Sequence, residues 1–75
     1  MIRTVHVVEG LTVTVQTHAG QTTAYIRRGD ILIQASEGTP ARIVRPIAEA
    51  RNHTHPKYAQ IAKAAIQLHR TSIGA

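Results

Sequence analysis

The sequence predicts an α+β domain. A four-stranded antiparallel β-meander comes first, then one kinked helix or a fifth strand, then a C-terminal amphipathic helix packed on the sheet. Three observations lead there. Residues 3–35 alternate apolar and polar side chains with period two. Reversal signals fall at Gly10, Gly20 and Gly29, dividing that stretch into short, similar lengths. Residues 56–70 then switch to three- and four-residue spacing, the period of a helix.

The first two strands lie in "TVHVVEGLTVTVQT". Val8-Glu9-Gly10 reads as a three-residue hairpin loop with Gly10 in the left-handed position. That register sets Val7 opposite Leu11 and Val5 opposite Val13. Val5, Val7, Leu11, Val13 and Val15 are then expected on the core face, with Thr4, His6, Thr12, Thr14 and Gln16 outside. Ala19-Gly20 starts the next reversal and pairs Thr17 with Thr22. Ala24 and Ile26 come beside Val15 and Val13. Gly29-Asp30 suits a two-residue type II′ turn, which sets Ile31 against Arg28, Ile33 against Ile26 and Ala35 against Ala24. The same turn accounts for the tripeptide Arg28-Gly29-Asp30 without an adhesive role. Tyr25, Arg27, Leu32 and Gln34 fall on the outer face.

"SEGTP" breaks the alternation. Thr39 before Pro40 fits a helix start, and Ile43, Val44, Ile47 and Ala48 follow at helical spacing. Pro46 opposes that helix, because it removes a hydrogen bond and pushes Arg45 from helical angles. The preferred reading is a helix over 40–51 with a kink; a fifth strand over 41–45 is the other. Pro56 opens the last helix, whose inner positions are Tyr58, Ile61, Ala62, Ala65 and Leu68. Lys57, Gln60, Lys63, Gln67 and Arg70 line its outer side.

The 75 residues make one small domain, with the meander in 1–35 and a basic helical half in 36–75. A chain this short buries roughly 60–65% of its unfolded surface, so the core is thin and a homodimer or larger homo-oligomer is expected. The alanines of the last helix offer a close-packing stripe for a second copy. There is no cysteine, hence no disulfide and no thiolate metal site. No secretion signal and no membrane-length apolar run is present, which points to the cytoplasm and away from membranes.

The metal question turns on distance. His55 and His69 are fourteen residues apart, about 20 Å along a helix. Zinc needs every donor within about 2.0–2.3 Å. His53 and His55 alone supply two ligands, so no metal site is expected. Catalysis is not expected either. The four carboxylates, Glu9, Asp30, Glu37 and Glu49, form no placed pair, and neither Ser36 nor Ser72 lies in a nucleophile motif. No glycine-rich phosphate loop is present, and no cofactor is implied.

Charge carries what function the sequence offers. The net charge is +5, and the pI is near 10.9. Residues 36–75 hold six basic residues against two acidic ones. A basic half selects nucleic acid, or the acidic surface of a protein, as partner. The residues expected to carry it are Arg42, Arg45, Arg51, Lys57, Lys63 and Arg70, as phosphate contacts. Tyr25 and Arg27 add a contact on the open sheet face. With two tyrosines and no Phe or Trp, base stacking is scarce, so backbone binding in a regulatory or accessory role fits best. His53 and His55 would add charge on mild acidification.

Overall fold

Three tight turns set the register of the N-terminal half. At Glu9-Gly10 both central residues have positive φ, 50° and 79°, as a two-residue type I′ turn demands. Ala19-Gly20 repeats it at 53° and 80°. Gly29 has φ 59° while Asp30 does not turn positive, in keeping with the expected type II′ geometry. The structure, a computed structural model, describes residues 1–37, 41–45 and 56–74. Its elements are β1 (Ile2–Val8), β2 (Leu11–His18), β3 (Gln21–Arg28), β4 (Ile31–Ser36), β5 (Arg42–Arg45) and α1 (Pro56–Ile73). The strands form one antiparallel sheet in the order β1-β2-β3-β4-β5.

The expected pairings of β2 with β3 and of β3 with β4 are present: Thr17 faces Thr22, Val13 faces Ile26, and Ile33 faces Ile26. The register of β1 differs. The loop has two residues rather than three, so Val8 pairs with Leu11 and His6 with Val13. Every side chain of β1 thereby changes face. Thr4, His6 and Val8 point to the helix side, and Val5 and Val7 stand on the outer face at 61% and 71% exposure. The physical reason is Glu9. A non-glycine residue at positive φ is disfavoured, which argues for the longer loop, yet the twist match of a type I′ turn prevails.

Residues 41–45 follow the second of the two readings, the fifth strand, and not the preferred helix. They are not helical; Arg42–Arg45 is a strand, with a register shift opposite Leu32 and Ile33. β-branched Ile43 and Val44 favour extended backbone, and so does the place of Arg45 before a proline. The expected helix start at Thr39 and the kink at Pro46 lie outside the described residues.

The core forms where α1 crosses the inner face of the sheet. Val13, Val15, Ala24, Ile26 and Ile33 are fully buried there, against Tyr58, Ile61, Ala62, Ala65 and Ile66. Leu68, expected inside, is 46% exposed. His69 takes the inner position instead, fully buried. Tyr58 and His69 are eleven residues apart, close to three whole turns, so they share a face that Leu68 misses by one residue.

Candidate functional site

Strand alternation makes the outer face of the sheet a grid. One row across the strands reads Val7, Thr12, Arg27, Leu32, Arg45. The next reads Val5, Thr14, Tyr25, Gln34, Arg42, and a third reads Arg3, Gln16, Thr23, Ser36. Four arginines and a tyrosine stand on this face, and the grid holds no Asp or Glu. Arg27 and Arg45 are two strands apart, about 10 Å. Arg3 and Arg27 line one shallow concavity of about 540 Å³ together with Thr14, Gln16, Tyr25 and Leu32. Among the described residues the one ion pair joins Arg70 to Glu37. The outer arginines therefore have no carboxylate partner there, and their field points to solvent.

The expected contact residues do not gather on one surface. Arg42 and Arg45 join Tyr25 and Arg27 on the outer face. Lys57 and Lys63 are exposed on α1, on the opposite side of the sheet. Arg70 is engaged with Glu37. Arg51, His53 and His55 lie outside the described residues. Arg3, absent from the expected set, belongs to the outer face. Its membership follows from the corrected register of β1, which a three-residue loop hides. The alanine stripe is also accounted for: Ala62 and Ala65 are buried against the sheet.

A second cluster lies under the sheet, and the sequence reading passed over it. His69 sits between two strands. Its Nδ1 is 2.7 Å from the Thr4 hydroxyl and its Nε2 is 2.8 Å from the Thr17 hydroxyl. Thr4 is also 2.7 Å from His6 Nε2, and Thr17 is 3.0 Å from the Thr22 hydroxyl. The Glu37 backbone N–H donates to the Thr22 carbonyl at 3.3 Å, and Arg70 holds the Glu37 carboxylate. Arg70 chiefly, and then Thr22, keep the Glu37 carboxyl below its usual range, against an opposing push from burial. Burial, then His6 and Arg70, hold the His69 imidazole below its ordinary value. Among the described residues no buried side-chain polar atom lacks a partner. The one signal for this cluster was His69 falling in phase with Tyr58.

Among the described residues no three His, Asp or Glu side chains gather as a metal-binding group. Chemically, the outer face offers planar, permanently charged donors beside one aromatic ring. That set suits phosphate oxygens, with a single place for stacking. No family model matches the chain, and neither a curated protein nor a solved structure matches it.

Proposed function

We propose that the protein is a non-catalytic module whose open sheet face binds the phosphate backbone of nucleic acid. One observation carries this reading: Arg3, Arg27, Arg42 and Arg45 share a face on which no acidic residue stands among the described residues. Guanidinium groups pair with phosphate through fixed, forked donors, and release of counterions drives the association. Tyr25, in the middle row, stacks on one base or sugar without reading sequence. The role is accessory or regulatory. The second reading, docking on an acidic protein surface, is favoured by the apolar edge that β1 leaves open at Ile2, Val5 and Val7. A second copy pairing along β1 is the form of self-association we propose, in place of one built on the helix.

The test is a fluorescence anisotropy titration with duplex DNA, single-stranded DNA and RNA at two salt concentrations. Arg27→Ala and Arg45→Ala should each weaken all sequences alike and lower the salt slope by about one. Lys57→Ala and Lys63→Ala, on the far side, should change affinity less. If no nucleic acid binds below about 100 µM at low salt, the face does not serve nucleic acid and the protein-docking reading replaces it.

A further inference from the structure

The concavity on the outer face is more specific than its charge. Its floor is uncharged: Thr14 and Gln16 of β2, Tyr25 of β3 half-buried beside them, and Leu32 of β4 on the far side. Cross-strand pairing sets Thr14 on one flank of Tyr25 and Gln34 on the other, so neighbours hold the ring in place. The cations stand at the margins. Arg3 lies two strands and two rows from Arg27, about 17 Å, and Thr14 falls midway between them. Arg3 donates to the Met1 sulfur at 3.6 Å, a weak acceptor that a phosphate oxygen readily replaces. The volume, about 540 Å³, lies in the range of sites that enclose a small organic ligand. A single nucleotide is such a body.

We propose, resting on the phosphate-binding reading of this face, that the concavity takes single-stranded nucleic acid in preference to duplex, with one unpaired base seated on Tyr25 and phosphates on Arg3 and Arg27.

A duplex turns its bases inward and presents a wall of phosphate and sugar. Proteins that read it push a helix, a ribbon or an arm into a groove about 12 or 6 Å wide. This face pushes nothing outward. The reversals between its first four strands are two-residue turns, and its middle is a depression. A duplex laid across it would bring only phosphate and sugar to Tyr25 and Leu32, which offer an anion nothing. A single strand splays its bases and satisfies every part of the site. Its phosphates meet the guanidinium groups, a base lies on the tyrosine ring, and base edges exchange hydrogen bonds with Thr14 and Gln16. Beyond Arg27, the strand continues toward Arg45, about 10 Å away. One aromatic ring stacks one base. That stack is worth about fivefold to a hundredfold in affinity and reads no sequence, because every base has a π-face.

Fluorescence anisotropy on the full chain at low salt compares four labelled ligands of equal length. They are a thymidine strand, a uridine strand, a thymidine–adenine duplex, and an abasic strand that keeps every phosphate but carries no base. At least one base-bearing strand should bind about fivefold or more tighter than both the duplex and the abasic strand. The thymidine and uridine strands separate DNA from RNA as the source. Tyr25→Ala should erase the advantage over the abasic strand, and Tyr25→Phe should keep it. A duplex that binds as tightly as the strands, or an advantage that survives Tyr25→Ala, overturns the proposal and leaves the phosphate reading standing. Failure of all four ligands to bind overturns both. If Tyr25→Ala does not fold, NMR of the wild-type chain decides instead. The Tyr25 ring protons must shift on saturation with the preferred strand and hold still with the abasic one, while Tyr58, buried beneath the sheet, moves with neither. Equal shifts of Tyr25 with both ligands, or none, refute the seat.

Discussion

Truncating Val5 and Val7 to alanine is expected to cost little, and truncating Val13 a great deal. Val13 is fully buried at the centre of the core. Removing two buried methyl groups forfeits about 0.8 kcal/mol each, and the cavity left in a packed interior raises the total to about 2–3 kcal/mol. Val7 is 71% exposed and Val5 61% exposed. Only about a third of each side chain is out of water, so the same truncation forfeits about 0.5 kcal/mol. Lost strand propensity on an edge adds a few tenths, which keeps each variant below about 1 kcal/mol. Urea unfolding followed by circular dichroism, with m held constant across the series, reads these values directly. A cost of 2 kcal/mol or more at Val5 or Val7 would put those residues inside. Thr4 and His6 would then face outward, and the whole His69 cluster would dissolve.

Ala19 holds φ 53° in its turn. Ala19→Asn should therefore stabilise by about 0.5–1 kcal/mol, because asparagine tolerates that conformation, and a rise in Tm of a few degrees checks it. Glu37 has a lowered pKa, so its contribution is present above the unfolded carboxylate value near 4.5 and fades as pH falls through the folded value. At 44% exposure, solvent screening keeps that contribution below about 1 kcal/mol. Glu37→Gln should accordingly leave the Tm near pH 7 within a few degrees and flatten its fall below pH 4.5 by a small amount; a large loss near neutrality would contradict this.

Most of the sheet was legible in the residues because two turn signals and one alternating pattern agreed between β2 and β4. What failed at β1 was a choice between two loops of similar cost. Glu9 at positive φ is unfavourable, and an unbroken apolar face looks better than one interrupted by Thr4 and His6, so local rules favoured the wrong register. The observed register places Val5 and Val7 in water but gives His69 its partner Thr4. A buried imidazole left without that partner would cost about 1–3 kcal/mol, a debt no pattern of hydrophobicity records. The same long-range pairing explains why His69 went unnoticed: its partners are 65 and 52 residues away. At the candidate surface, Tyr25 and Arg27 were legible from alternation alone. The grouping of Arg42 and Arg45 with them required the fifth strand, and the split from Lys57 and Lys63 required knowing which face α1 covers.

The two edges of the sheet are unequal, and symmetry gives that inequality a consequence. β5 is four residues long and irregular in register, a poor template for further pairing. β1 is seven residues long and regular, with Val5 and Val7 exposed on its outer face. When two copies join antiparallel at such an edge, the two-fold axis must stand normal to the sheet. Both arginine faces then look the same way, and both helices lie together behind them. Five strands span about 19 Å from first to last; ten would span roughly 43 Å. A polyanion long enough to cross that width would engage both copies at once, and the second engagement would proceed at the high effective concentration of a tethered site. Affinity for long strands would then rise with protein concentration, while affinity for short ones would not.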